Sequence, residues 1–161
     1  MTGNMITTEK SLQFSRTFYT SAAELWGALT EPHEVRKWWG PEFFTCPFCS
    51  IDLRVGGKYL TCMRSMDGAE FWSTGVYKEI VPYQKLVYTD SFSDKDGNII
   101  PASAYQMPGE WPDELLITLY FEEKNGQTIM NLVHEGLPQE IHEECMKSWN
   151  QSFDKLDDVF K

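Results

Sequence analysis

The chain has 161 residues, of which 42% are hydrophobic and 14% aromatic, and its formal net charge is -10. This length and composition suit one packed core and exclude a disordered chain. A negative chain repels phosphates, which excludes nucleic acid and anionic membrane surfaces as partners, and no apolar run is long enough to span a membrane. The first residues lack a basic segment followed by an apolar core, so the protein is expected to be cytoplasmic.

The first predicted elements are one strand and two short helices. Residues 1–10 are polar and predict a flexible lead-in. Apolar and polar residues alternate over 12–18, which is the period of a half-buried strand. Ser21 and Glu24 have capping-box spacing and predict the start of a helix, and a second helix is predicted over 32–38, with proline at its first position.

A long antiparallel meander is predicted next, because residues 43–92 show alternating runs separated by turn signals and no helical period. Gly56-Gly57 suits a tight hairpin, since primed turns need positive φ. Asp67-Gly68 marks the following turn. The predicted strands cover 43–55, 58–66, 71–81 and 84–92.

An irregular loop is predicted over 93–113, a segment that contains Pro101, Pro108 and Pro112. Long loops in compact domains serve as lids or are tolerated insertions, and both interpretations stay open, with Trp111 as the candidate lid residue. A last hairpin follows, with strands predicted over 115–122 and 128–135.

A C-terminal helix is predicted over 138–160, because its apolar residues recur at spacings of three and four. A helix with one apolar face must bury that face, and the large surface available is one face of the sheet. We therefore predict a single α+β domain over 1–161, in which a curved antiparallel sheet wraps around this helix and leaves a small apolar cavity. The apolar stripe consists of Ile141, Cys145, Trp149, Phe153, Leu156 and Phe160.

The sequence resembles the family of activators of heat shock protein 90 ATPase homologues. The resemblance rests on FSRTFYTSAAELWGALTEPHEVRKWWGP, DLRVGGKY, GVYKEIVPYQKLVYT, LVHEG and SWNQSFDKLDDVF, which together span nearly the whole chain. It implies the helix-grip fold of START-like, birch-pollen-allergen-like domains (the SRPBCC superfamily), with about six or seven strands. Members of that superfamily commonly hold lipids, polyketides, hormones or other apolar molecules between sheet and helix.

Candidate ligand-binding residues are those expected on the concave face of the sheet, on the C-terminal helix and at the cavity mouth. Ligand sites are mostly apolar with a few placed polar groups, and this set has that character. Trp38 and Trp39 either pack the end of the second helix or gate the cavity. The candidates are Arg16, Trp39, Phe48, Asp52, Arg54, Tyr59, Met63, Tyr77, Tyr88, Trp111, Leu119, His134, Trp149 and Phe153.

Three of these candidates are charged, and buried charges need partners. Arg16, Asp52 and Arg54 are interpreted as a structural ion-pair set. The alternative is that the arginines orient a carboxylate or phenolate on the ligand.

His134 is the best candidate for chemistry, as a general acid or base paired with Asp52 or Glu135. The pattern is weak, and no catalytic motif is present. Cys46 and Cys49 form a C-x-x-C, but lying on one strand they point to opposite faces unless Pro47 makes a bulge. Structural thiols are favoured over redox or metal use, and no metal site or cofactor is predicted.

Three functions remain open from the sequence. The leading hypothesis is binding of a small apolar or amphipathic molecule in the cavity between sheet and helix. The alternatives are a co-chaperone-like module that stimulates a chaperone ATPase, and a cavity-based enzyme such as a cyclase or hydrolase, which is disfavoured. A monomer and a homodimer are both compatible with the sequence.

Overall fold

The computed structural model describes residues 11–161 and the backbone of residues 5–8. The strands are β1 (Met5–Thr8), β2 (Ser11–Phe18), β3 (Thr45–Ile51), β4 (Lys58–Arg64), β5 (Glu70–Val81), β6 (Lys85–Ser93), β7 (Leu115–Lys124) and β8 (Gln127–Glu135). They form one antiparallel sheet in the order β1-β2-β8-β7-β6-β5-β4-β3. The helices are α1 (Ala22–Thr30), α2 (Pro32–Trp38) and α3 (His142–Val159), with short 3-10 segments at Ala102–Tyr105 and Gln139–Ile141. The α+β helix-grip architecture is confirmed.

The two short helices begin where the sequence predicts. Ser21 caps α1 by accepting a hydrogen bond from the backbone N–H of Glu24 at 3.1 Å, which satisfies a helix-end donor that would otherwise have no partner. At the end of α2, the buried Trp38 donates from its indole N–H to the carbonyl oxygen of Ala28 at 2.8 Å. Trp38 therefore packs α2 against α1.

The α3 helix lies across the concave face of the sheet, as its apolar stripe predicts. Phe153 and Leu156 are almost completely buried, and the Phe153 ring contacts Phe14 and Phe18 of β2, with centroids 6.0 and 5.8 Å apart. Burying aromatic side chains removes a large apolar area from water. This contact fixes α3 over the sheet and encloses the space beside it.

The predicted lead-in over 1–10 is partly structured. Residues 5–8 form β1, which pairs antiparallel with β2. That segment is therefore a strand and not a flexible lead-in. The rest of the predicted lead-in lies outside the described residues.

The third strand is shorter than the predicted 43–55. It ends at Ile51, and residues 52–57 form a turn in which the N–H of Gly57 donates to the carbonyl oxygen of Arg54 at 2.7 Å. A side chain at Gly57 would collide with the carbonyl oxygens of Asp52 and Arg54, so this close turn needs glycine. The turn is also fastened to β5, because the N–H of Tyr77 donates to the carbonyl oxygen of Gly57 at 3.0 Å.

The predicted loop over 93–113 is an ordered connection between β6 and β7. Ser93 belongs to β6, and the connection, residues 94–114, contains the 3-10 segment Ala102–Tyr105. The hydroxyl of Tyr105 donates to the carbonyl oxygen of Ser93 at 2.6 Å and accepts from the backbone N–H of Trp72 at 3.1 Å. Tyr105, which is partly buried, therefore anchors the connection to β5 and β6.

Candidate functional site

Two neighbouring cavities lie between the concave face and α3. The smaller, which we call the tyrosine cavity, has a volume of about 60 Å³. Helices and strands supply its walls, apart from Trp39, which follows α2. Its lining residues are Leu29, Val35, Trp38, Trp39, Ile51, Tyr59, Thr61, Tyr77, Leu86, Tyr88, Asp90, Ile117, Leu119, Trp149 and Phe153.

The larger, which we call the loop cavity, has a volume of about 270 Å³. It lies under the connection 94–114, which contributes Met107 and Trp111. Trp39, Asp90 and Trp149 line both cavities. The other lining residues are Gly40, Pro41, Met63, Phe92, Leu115, His134, Leu137, Ile141, Glu144, Cys145, Ser148 and Ser152.

Three tyrosines on adjacent strands form one wall of the tyrosine cavity. Tyr59 on β4, Tyr77 on β5 and Tyr88 on β6 have ring centroids between 5.6 and 5.9 Å apart. A side chain at Gly75, which pairs with Tyr59, would collide with the Tyr59 ring and with the carbonyl oxygen of Thr89. Gly75 therefore provides the space that the Tyr59 ring occupies.

Asp90 is the acidic residue at the junction of the two cavities. It follows Tyr88 by two residues on β6, so both side chains lie on the concave face. The Tyr59 hydroxyl donates to Asp90 Oδ1 at 2.8 Å. Burial raises the pKa of Asp90 to about 6, although this hydrogen bond opposes the rise. Among the described residues, no basic side chain forms an ion pair with Asp90.

His134, on β8, is buried against α3 in the wall of the loop cavity. Its Nδ1 accepts a hydrogen bond from the indole N–H of Trp149 at 3.1 Å. Burial, and then the nearby His142, lower the pKa of His134 to about 3, so the ring is neutral near pH 7. Because an indole can only donate, the proton of the neutral ring lies on Nε2. This buried N–H has no hydrogen-bond partner among the described residues.

Ten of the predicted site residues line the cavities. Trp39 and Trp149 line both, and the others divide between the two. In the tyrosine cavity lie Tyr59, Tyr77, Tyr88, Leu119 and Phe153, and in the loop cavity lie Met63, Trp111 and His134.

The predicted ion-pair set of Arg16, Asp52 and Arg54 forms only in part, without Arg16. Asp52 and Arg54 pair with each other at 2.8 Å in the turn after β3, with side chains 52% and 75% exposed. They lie off the concave face because β3 has already ended. Arg16 instead contacts Asp154 and Asp157 on α3, each at 2.7 Å. None of the three lines either cavity, so the alternative, an arginine fork that orients an anionic ligand group, is not found in these walls.

Phe48 also lies outside the cavities. A register shift between Thr45 and Phe48 leaves Phe48 42% exposed, where its ring contacts Trp72 with centroids 5.6 Å apart. A bulge reverses the alternation of side chains along a strand. The prediction that Phe48 lies on the concave face was wrong for that reason.

Cys46 lies within this register shift, and Cys49 follows it. Cys46 is buried and Cys49 partly buried, so neither faces freely into solvent. Burial raises the pKa of the Cys46 thiol, and burial together with the Cys46 neighbour raises the pKa of Cys49 to about 12. Both are therefore thiols near neutral pH, a form that is a poor nucleophile and a poor metal ligand. In the described part of the chain, no group of three or more suitable side chains could hold a metal ion.

The predicted acid and base pair of His134 with Asp52 is wrong. Asp52 is in the exposed turn after β3, and four strands separate β3 from β8 in the sheet. Glu135, the other proposed partner, is exposed, whereas His134 is buried, because neighbouring residues on a strand point to opposite faces. The acidic residue that does line a cavity with His134 on the concave face is Asp90, which sequence reasoning missed although its alternation with Tyr88 was visible.

Together, the sheet, the enclosed helix and the cavities between them define a START-like helix-grip domain. The chain belongs to the family described as Activator of Hsp90 ATPase homolog 1-like protein, whose model matches residues 19–161. A search of curated proteins finds no match. In the described part of the chain, no helix is both long and apolar enough to cross a membrane.

Solved structures of bacterial proteins have the same fold over almost the whole chain. A protein from Chromobacterium violaceum is 25% identical, with a TM-score of 0.76 and coverage of 94% of this chain and 97% of that one. A protein from Nitrosomonas europaea is 21% identical, with a TM-score of 0.78 and 96% coverage of both chains. The AHSA1 protein from Silicibacter pomeroyi is also 21% identical, with a TM-score of 0.73 and coverage of 93% and 96%.

Proposed function

We propose that this protein binds a small, largely apolar molecule in the tyrosine and loop cavities. The observation that carries the proposal is that the two cavities share Trp39, Asp90 and Trp149 as walls. A volume of about 270 Å³ is close to the lower limit of ordinary ligand pockets. The site suits a molecule of about one or two rings better than a long lipid chain.

The polar side chain of His134 in the wall of the loop cavity supports a ligand that is amphipathic. The Nε2–H of His134 is a buried donor without a partner in the described residues, and an unpaired buried donor lowers stability by about 1 to 3 kcal/mol. A ligand acceptor, or a water molecule, would satisfy it. A few polar groups on an apolar wall are what orients a ligand in such a pocket.

The proposal is tested by filling the loop cavity from within. Ser148 lines this cavity on α3, whereas its neighbour Lys147 is exposed. The variant Ser148→Phe adds a ring to the cavity, and Lys147→Phe adds the same ring to the solvent side of the helix. Native mass spectrometry of the gently purified protein and thermal denaturation with small aromatic probes report occupancy in each variant.

Binding to the folded state alone raises the unfolding free energy, by about 2.7 kcal/mol at a ligand concentration one hundred times Kd. We expect this stabilisation in the unmodified protein and in Lys147→Phe, and its loss in Ser148→Phe. Equal stabilisation of all three would place the probe outside the cavity and contradict the proposal. Failure of every apolar and amphipathic probe would contradict it as well.

The family description supplies a second candidate, because it names activation of the Hsp90 ATPase. Such an activity would use the outer surface of the domain and not its interior. It predicts faster ATP hydrolysis by a purified chaperone of this class when the protein is added. Ser148→Phe should then stimulate as well as the unmodified protein, which separates this candidate from ligand binding.

A further inference from the structure

The charges on the cavity walls all have one sign. Among the described lining residues of the two cavities, the charged side chains are Asp90 and Glu144, and none is lysine or arginine. The chain as a whole carries a formal charge of -10. An anionic ligand would therefore enter a negative site without a counter-charge, whereas a cation would be attracted to it.

Asp90 is a carboxyl group that lacks the partner its position calls for. Its Oδ1 accepts from the Tyr59 hydroxyl at 2.8 Å, but no basic side chain of the described residues reaches it. A carboxylate removed from bulk water is unfavourable unless it is paired. A positively charged ligand group beside Asp90 would form the missing ion pair.

The walls around Asp90 suit such a group. Tyr59, Tyr77 and Tyr88 line the tyrosine cavity together with Trp39 and Trp149. Aromatic rings attract cations through their negative faces, and this attraction increases when water is excluded. Aromatic walls with one carboxylate are a general arrangement for holding an alkylammonium group.

The sizes of the cavities point to a two-part ligand. The tyrosine cavity, at about 60 Å³, has the volume of about two liquid water molecules, which fits a compact ammonium or methylammonium group. The loop cavity, at about 270 Å³, has room for an apolar body. Asp90, Trp39 and Trp149 line both spaces, so one molecule can occupy the two together.

We propose that the ligand is an organic cation, with an ammonium group beside Asp90 in the tyrosine cavity and an apolar ring system in the loop cavity. This proposal rests on the proposed function, since it assigns the ligand class of the same site. It differs from the alternative left open by the sequence, in which arginines orient an anionic group of the ligand.

Three probes with one ring system and different substituents test the proposal. They are 2-naphthylmethylamine, which is a cation near pH 7, the neutral 2-naphthylmethanol and the anion 2-naphthoate, with the benzyl analogues as a smaller set. Titration calorimetry gives Kd for each. We expect the amine to bind at least about tenfold more tightly than the alcohol, a difference of about 1.4 kcal/mol, and the carboxylate to bind most weakly.

The variant Asp90→Asn keeps the size of the side chain and an oxygen acceptor for Tyr59. We expect the affinity for the amine to fall at least tenfold in this variant, while the affinity for the alcohol changes less than about threefold. Glu143→Gln removes the same charge from the exposed side of α3 and serves as the matched control. Alcohol binding by Asp90→Asn also reports that the variant is folded.

The outcomes separate this proposal from the proposed function. If the alcohol binds but the amine binds no better, or if the preference for the amine persists in Asp90→Asn, the cation proposal is overturned and cavity binding stands. If the carboxylate binds most tightly, the cation proposal is likewise overturned. If no probe of either size binds, the proposed function fails together with it. Should Asp90→Asn not fold, the three probes on the unmodified protein still decide the preference.

Discussion

The tyrosine cavity and the loop cavity share one wall but are built differently. Strands and helices enclose the tyrosine cavity, and its acidic group, Asp90, already has a hydrogen bond from Tyr59. The connection 94–114 covers the loop cavity, where the Nε2–H of His134 has no partner among the described residues. The tyrosine cavity is therefore walled by regular elements with its acidic group already hydrogen-bonded, whereas the loop cavity is covered by an irregular segment and contains a buried histidine with an unpaired donor.

The largest expected effect on stability comes from Trp149, which lines both cavities. Trp149 is 8% exposed, and its ring stacks on Phe153 with centroids 5.3 Å apart. Trp149→Ala leaves a large void and removes the hydrogen bond to His134, so we expect the free energy of unfolding to fall by about 4 kcal/mol. Urea denaturation measures this loss. A loss below about 1 kcal/mol would mean that Trp149 is not a structural wall.

The second effect concerns His134, in the loop cavity, and depends on pH. Its pKa in the folded protein is about 3, against an ordinary value of 6.5, so the unfolded chain binds the proton more readily. The stability from the neutral ring is present above pH 6.5 and is lost as the pH falls toward 3. Between pH 7 and pH 5 we expect a loss of about 2 kcal/mol from this group.

The variant His134→Gln should lack this loss, because glutamine keeps an acceptor for Trp149 but does not titrate. Urea denaturation at pH 7 and pH 5 compares the two proteins. The difference in stability between them should move by about 2 kcal/mol in favour of the variant at the lower pH. A pH-independent difference would show that His134 titrates normally in the folded state.

The third effect concerns Asp90, whose contribution to stability changes with pH in the direction opposite to that of His134. Its folded pKa of about 6 lies above the ordinary 3.8, so here the folded protein binds the proton more readily. Stability from this group is full below pH 3.8 and is lost as the pH rises through 6, and the step from pH 7 to pH 5 restores about 1 kcal/mol. Asp90→Asn should abolish this gain. Denaturation curves whose pH dependence matches that of the unmodified protein would contradict the assignment.

The smallest effect on stability is expected at the covering loop. Trp111 donates from its indole N–H to the carbonyl oxygen of Pro108 and contacts Phe92, with ring centroids 5.2 Å apart, but it remains partly exposed. Trp111→Ala should therefore lower the unfolding free energy by less than about 1 kcal/mol. If the loop acts as the predicted lid, the same variant should release a bound probe faster in stopped-flow measurements. An unchanged release rate would remove Trp111 from that role.

The elements with strong local signals were predictable. The Ser21 cap, the proline at the start of α2 and the apolar stripe of α3 each depend on residues within a few positions of one another. Alternation likewise placed Tyr59, Tyr77 and Tyr88 on one face, because no bulge precedes them within their own strands. The family match over 19–161 agrees with the resemblance seen in the sequence.

The errors at Phe48, Asp52 and Arg54 share one physical cause. Asp52 and Arg54 were assigned to a strand that stops at Ile51, and Phe48 was placed on the wrong face because the bulge before it shifts the register. Turn closure and bulges depend on contacts with neighbouring strands, such as the bond from Tyr77 to Gly57. A period of two along the sequence contains no information about those contacts.

An antiparallel sheet packed on an amphipathic C-terminal helix could be predicted from the sequence, because the periods of buried residues are local properties of the chain. Which charged groups line the cavities depends instead on tertiary contacts. Arg16 forms ion pairs with Asp154 and Asp157 of α3, whereas Asp90 lies at the junction of the two cavities. The sign of the charge in the cavities depends on which side chains, far apart in the sequence, lie close together in space. Strand order and the packing of α3 determine those contacts.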